Sequence, residues 1–382
     1  MINIFQPTLK QEELHAIDRV FQSNWIGRGS ETTSFETEFA THLGVATSRS
    51  SFVKTVSCCS AGLFHTMKLL DIQPGDELIL PSIHFVAAAN AILDCGAVPV
   101  FCDVDSRTLN ATASSIEEKI TKKTKAILIL HYGGYPCDMD AICKLAQTYQ
   151  LKLVEDSACS VASQYHGIAC GTFGDIGIWS FDAMKILVCG DGGMMHFKDQ
   201  ELAEKFEKLS YLGLCSKSGF ESTIDKKWWA FDVSCYGRRD IMNDISSAIG
   251  REQLKKLPGF IQKRRNISKI YDRELAKLKW LTLPPSIPED CKSSYYFYWV
   301  QLKNQDLRDQ MAKYLKEHQI YTTFRYYPLH WVKFYHMDQI QLKNAEQAAQ
   351  TTLCLPIHQS LTEKELTYII DVICNFGKEN NL

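Results

Sequence analysis

Short apolar runs alternate with amphipathic stretches from about residue 60 to 260. Leu78-Ile79-Leu80 reads as a strand, and the alanine-rich segment Val86 to Leu93 follows it. Val98 to Val104 and Ala126 to Leu130 are further strands. Ala141 to Tyr149 repeats at helical spacing, and Leu151 to Val154 is another short strand. Strand and helix in alternation, with short polar joints, predict a parallel sheet covered by helices. Strands covered on both faces read as continuous apolar runs, as these do.

The pattern changes after about residue 256. Residues 260–278 predict one long exposed helix. Beyond it come a strand at Tyr295 to Leu302, a helix near 307–317, a strand at Ile320 to Phe324 and a last helix at Glu363 to Ile373. The reading is therefore α/β: a large, mostly parallel sheet domain over residues 1–256 and a smaller α+β domain over 257–382. An N-terminal helix near residues 11–21 joins one of the two or bridges them. A length of 382 residues agrees with two domains.

Composition narrows the function. Hydrophobic residues at 45% and charged residues at 23% are ordinary for a soluble enzyme. A formal charge of −2, with no basic run, disfavours nucleic acid as a partner. No run of 18 or more apolar residues suggests a membrane span, and the start shows no signal peptide. The 14 cysteines are scattered, several of them inside apolar strands, and no CxxC pairs answer each other at zinc spacing. They read as reduced, buried, small hydrophobes of a cytoplasmic protein without a metal centre.

Four segments carry candidate chemistry. The strand Leu153-Val154-Glu155-Asp156 ends in a carboxylate at the edge where open α/β sheets bind ligands. Asp156 either caps the following turn or holds a cationic ring nitrogen. Ile176 to Phe181 is a strand that leads to Lys185, which sits between Met184 and Ile186-Leu187-Val188. Burial disfavours the ammonium and leaves a nucleophilic amine, as a Schiff-base lysine requires. The glycine-rich turn after it suits a close backbone approach. Ser60 reads as the N-cap of a helix with the stripe Leu63, Phe64, Met67 and Leu70, and such an N-terminus is a phosphate site or plain capping. Phe85 either covers a ligand's aromatic face or is core. A lysine, an acid, anion donors and an aromatic wall together suit pyridoxal phosphate. No GxGxxG opens a helix, which disfavours a nicotinamide-dependent dehydrogenase.

At these residues the chain resembles the DegT/DnrJ/EryC1/StrS family of pyridoxal-phosphate aminotransferases, which act mainly on nucleotide-linked keto sugars. The likeness runs nearly end to end, through SNWIGRG at 23–29, PGDELILPSIHFVAAANAIL at 74–93 and GAVPVFCDVD at 96–105. It continues through VEDSAC at 154–159, GTFGDIGIWSFDAMK at 171–185, GDGGM at 190–194, AIGREQLKKL at 248–257, YYPLH at 326–330 and LPIHQSLTEKEL at 355–366. The resemblance implies a type I pyridoxal-phosphate fold acting as a homodimer with shared sites. It makes Lys185 the Schiff-base lysine and proton shuttle, pairs Asp156 with the pyridinium nitrogen, stacks Phe85 on the ring and gives Ser60 and Ser180 to the phosphate. Lysine at 185 argues against the relatives that carry histidine there and dehydrate sugars.

Three departures stand out. Cys59-Ser60 replaces the usual Gly-Thr in the phosphate turn, and Cys159 replaces a common glutamine near the cofactor's 3′ oxygen. GRRDIMNDI at 237–245 replaces a segment that lends an asparagine to the partner's cofactor, and Arg239 falls at that place. The implied substrates are a nucleotide-linked 4-keto-6-deoxyhexose and glutamate as amino donor, met by Trp25, Arg325, Tyr327 and His330. Amination at another keto position, a keto substrate that is not a nucleotide sugar, and a catalytically silent cofactor-binding regulator are the alternatives.

Overall fold

The structure, a computed structural model, describes residues 1–46, 52–214, 229–337 and 339–382. Its centre is a sheet of seven strands: β1 (Val53–Val56), β2 (Glu77–Pro81), β3 (Val98–Cys102), β4 (Thr124–Leu130), β5 (Lys152–Asp156), β6 (Ile176–Ser180) and β7 (Gly193–Phe197). Their order is β1-β7-β6-β5-β4-β2-β3. The pairings from β3 through β2, β4 and β5 to β6 are parallel, while β7 runs antiparallel to both β6 and β1. The sheet is thus mixed and mostly parallel, as expected. Strands β4 to β7 are buried almost throughout, because helices cover both faces.

Helix α1 spans Gln11–Gln22 and α2 spans Ser30–Leu43. Around the sheet lie α3 (Cys59–Leu69), α4 (Val86–Asp94), α5 (Ala113–Glu117), α6 (Met139–Thr148) and α7 (Gln200–Leu209). Strands β1, β2, β4, β5 and β6 all end on one edge of the sheet, so the turns after them meet there.

The helix expected at 260–278 is the second half of α8, which runs from Asp244 to Leu275. It is not simply exposed: Phe260, Arg264, Ile267, Tyr271 and Leu275 recur at helical spacing and are buried. The boundary expected at 256/257 falls inside α8. Its first half packs on α1, where Ala16 and Val20 meet Ala248. Its second half enters a separate core with Tyr298, Leu315, Ile320 and Ile369.

That second core holds α9 (Gln305–Glu317), α11 (Glu363–Glu379) and the antiparallel pair β8 (Tyr298–Gln301) and β9 (Thr352–Leu355), while α10 (Lys343–Thr351) buries Ala345 and Ala348 in the large core. The strand expected at Ile320 to Phe324 does not form. Ile320 bridges only Ile2, and Thr323 bridges only Cys354, before the chain turns toward the sheet edge. Tyr296, Phe297 and Trp299, around the start of β8, pack on the large core instead. The smaller unit therefore leans aromatic side chains directly on the edge where the strands end.

Candidate active site

Adjacent acids at the end of β5 have different work because strand side chains alternate in direction. Glu155 points away from the site and is fully buried. It accepts backbone N–H groups from Gly171 (2.7 Å), Phe173 (2.7 Å) and Gly174 (2.8 Å), and it bonds to His131 Nε2 at 3.1 Å. This carboxylate fixes the turn that feeds β6. Asp156 points into the site, 2% exposed, with Oδ1 accepting from the Ala158 N–H at 2.9 Å.

Past β6 the chain folds into a tight loop. Asp182 Oδ1 accepts from the Met184 N–H and the Asp182 carbonyl from the Lys185 N–H, both at 2.9 Å. Ile186, Leu187 and Val188 are buried, and that anchors Lys185 at the cavity. The return to β7 needs glycine. Gly190 has φ +88°, and a side chain at Gly193 would come within 2.9 Å of the Cys59 amide nitrogen. Helix α3 can therefore begin directly against β7.

The N-cap of α3 is Cys58, not Ser60: its Sγ accepts from the Ala61 N–H at 3.4 Å. Ser60 lies inside the first turn, where backbone N–H groups have no intrahelical acceptor. Ser60 lines the cavity together with Ser180. Anion donors are still gathered here, with Ser60 contributing from the helix rather than from its cap.

These turns enclose a cavity of about 230 Å³, lined by Cys59, Ser60, Phe85, Asp156, Ser180, Lys185, Arg325 and others. Phe85 and Tyr326 both line it, their rings in tilted contact with centres 5.9 Å apart. Phe85 is 46% exposed, so it serves as a wall and not as core. Cys159 is buried behind this wall, with Sγ 3.7 Å from Tyr326 Oη. The Arg325 guanidinium lies over the Phe5 ring at 5.1 Å, and among the described residues no carboxylate pairs with it. A larger cavity of about 880 Å³ opens between α8 and residues 283–293, but its lysines, Lys269 and Lys292, are exposed and ordinary.

The other expected residues are not in this cavity. His330 is fully buried, bonded through Nδ1 to Ser82 Oγ at 2.6 Å and near Glu346 at 3.3 Å. There it tethers the turn carrying Phe85, and it has no face for a ligand. Trp25 and Tyr327 are exposed outside the cavity, and the Trp25 indole donates to the Arg28 carbonyl at 3.0 Å. Arg239 lies over the Tyr211 ring at 5.2 Å and does not line this cavity. Two residues went unread in the sequence. Tyr296 sets its ring 4.8 Å from Lys185 Nζ, and His84 lies behind Asp156.

Charge in the cavity is finely poised. Burial pulls the Lys185 ammonium down, and ionised Tyr296, Cys159, Cys59 and Asp156 would push it up, with upward the net direction. Burial raises Tyr296, Cys159 and Cys59, so these stay protonated near neutral pH. With those groups neutral, burial is the largest influence left on Lys185, and it favours the neutral, nucleophilic amine.

The donor set fits pyridoxal phosphate: an amine for the aldehyde, a buried carboxylate for the ring nitrogen, hydroxyls and helix N–H groups for the phosphate, and an aromatic wall. The comparisons agree. Residues 7–374 match the DegT/DnrJ/EryC1/StrS aminotransferase family. A dTDP-4-dehydro-2,3,6-trideoxy-D-glucose 4-aminotransferase of Saccharopolyspora spinosa is 51% identical over 97% of this chain and 95% of its own. A GDP-perosamine synthase of Escherichia coli O157:H7 is 32% identical over 98% of each. The crystal structure of the aminotransferase TlmJ from Streptoalloteichus hindustanus superposes with a TM-score of 0.93, at 51% identity and 98% coverage of both chains. The chain belongs to the DegT/DnrJ/EryC1/StrS family of aminotransferases, enzymes that depend on pyridoxal phosphate.

Proposed function

We propose that this aminotransferase converts a nucleotide-linked 4-keto-6-deoxyhexose to its amino sugar, with glutamate as the amino donor. The observation that carries the reading is one cavity shared by Lys185, Asp156 and the carboxylate-free Arg325. A relative at 51% identity whose name specifies a dTDP-linked 4-keto sugar supports it.

Pyridoxal phosphate supplies an electron sink for the carbanion left when a proton leaves the substrate carbon. With the cofactor bound, Lys185 would move that proton between the substrate carbon and C4′ of the cofactor. Asp156 keeps the ring nitrogen protonated. Cys59, Ser60 and Ser180 would hold the phosphate, and Cys159 would act on the ring side through Tyr326. Phe85 and Tyr326 exclude water from the reacting face. The planar fork of Arg325 engages the sugar nucleotide's diphosphate, with Trp25 and Tyr327 as its outer contacts. His330 acts one step removed, through Ser82.

The working form is a homodimer in which Arg239 reaches the partner's cofactor phosphate. Arg239 does not line the cavity of its own chain, and the exposed side chains of Phe231, Val233 and Tyr236, close to it in sequence, offer apolar surface to a partner; both support this. Free thiols at every described cysteine, many of them in the core, favour a reducing compartment such as the cytoplasm. No helix among the described residues is long and apolar enough to cross a membrane.

The test loads the protein with pyridoxamine phosphate and offers a panel of nucleotide-linked keto sugars. The aldehyde-form absorbance should return with 4-keto-6-deoxyhexoses and reverse with glutamate. Return with simple 2-keto acids but with no sugar would overturn the reading.

A further inference from the structure

His84 lies in the turn after β2, next to Phe85, and its side chain is fully buried. Its Nδ1 is 3.2 Å from the Phe85 carbonyl oxygen. Its Nε2 has no hydrogen-bond partner and sits 3.7 Å from Oδ2 of Asp156. Both ring nitrogens therefore face an oxygen that can only accept. In either neutral tautomer one nitrogen must turn a lone pair toward an oxygen. A proton at Nε2 meets a full negative charge, whereas a proton at Nδ1 meets a neutral carbonyl. Only the Nδ1 contact is within hydrogen-bond range as it stands, but a bond to a charged acceptor is the stronger of the two once formed, which favours a proton on Nε2. Burial pulls the ring away from the doubly protonated state, and the nearby Asp156 charge opposes this.

The carboxylate is gripped on its other side too, since Oδ1 already accepts from the Ala158 N–H at 2.9 Å. A contraction of about 0.5 Å brings Nε2 and Oδ2 within hydrogen-bond range. Two donors on separate oxygens then fix the plane of the carboxylate.

We propose that His84 is a positioning residue whose Nε2–H donates to Asp156, fixing that carboxylate's plane and charge opposite the cofactor's ring nitrogen. The inference rests on the role given to Asp156 above. A carboxylate that accepts such a bond is less basic. The shared proton then stays on the ring nitrogen instead of passing to Asp156, and the ring keeps its electron-withdrawing power.

Holoenzyme carrying His84→Phe or His84→Gln provides the test. Phenylalanine fills the buried space without a donor, and glutamine returns an N–H on an arm of similar reach. His84→Phe should still take up cofactor yet lose about 10-fold or more in kcat, the scale of one hydrogen bond to a charged group. KM should change little. The pH midpoint of the cofactor's visible absorbance change should rise, and His84→Gln should bring both quantities back toward wild type. Wild-type kcat and midpoint in His84→Phe, alongside a slow Asp156→Asn enzyme, would overturn this proposal alone. Normal turnover in Asp156→Asn would overturn the role of Asp156 and the proposal with it. Weakened cofactor uptake with neither shift marks a merely structural side chain and also overturns it. If His84→Phe does not fold, His84→Asn, whose shorter arm cannot reach Oδ2, replaces it with the same expectations.

Discussion

Lys185 holds its amine 4.8 Å above the ring of Tyr296, a contact that joins the sheet edge to the smaller unit. Tyr296 in turn stacks on Phe5 at 5.3 Å, so the floor of the site is assembled from three distant stretches of chain. An ammonium over an aromatic face is attracted to it by about 0.5–2 kcal/mol. The contact holds the lysine in place before any ligand binds.

Lys185→Ala should bind the cofactor without a covalent link. Borohydride reduction followed by peptide mass spectrometry should find no reduced cofactor on any lysine. Reduced cofactor on another lysine of this variant would show that the attachment point has been misassigned.

Arg325→Ala should separate the two substrates. The guanidinium is free of carboxylate partners among the described residues, so its loss should raise KM for the sugar nucleotide about 10-fold or more while KM for glutamate moves less. Equal rises for both would count against a diphosphate contact.

Sharing of the site between subunits can be read by complementation. Lys185→Ala and Arg239→Ala subunits, each nearly inactive alone, should regain activity on mixing. One site of each heterodimer would then combine an intact Lys185 with an intact Arg239. Demonstrated subunit exchange with no recovery would remove Arg239 from the partner's site.

Asp244, at the first turn of α8, closes the start of α2. Its Oδ1 accepts from the Gly29 N–H at 2.7 Å, the Thr32 N–H at 3.0 Å and the Thr32 hydroxyl at 2.6 Å. Asp244→Ala strands these donors in a site where Asp244 is only 3% exposed, and should cost about 1–3 kcal/mol. The urea midpoint should fall while the absorbance of bound cofactor is unchanged. An unmoved midpoint would deny Asp244 this role.

What could be read in the sequence was what local pattern controls. Asp156 and Lys185 stand at the ends of buried strands, and a ligand edge follows from a parallel sheet whatever else the fold does. Helix α2 is harder to see, because Phe35, Phe39, Ala40 and Leu43 are set among serine and threonine, which favour helices weakly. Ser60 was misplaced by two positions because Cys58 does the capping with a sulfur, an unusual acceptor. His330 shares its segment with Arg325 and Tyr327, yet only packing decides that it faces Ser82 and not a ligand. Tyr296 and His84 reach the site through tertiary contacts that no spacing along the chain encodes. His84 has one faint signal, an imidazole set between Ile83 and Phe85.

Helix α8 passes unbroken from the α1 contact into the second core, and that bears on how the molecule can move. A swinging jaw needs a few residues free to change their backbone angles, and a continuous helix has almost none to spare. The exception is Pro258, which has no N–H to return to residue 254 and is followed by Gly259, so bending is cheapest there. The two halves therefore ride on a common axle, one that yields most cheaply at a single turn.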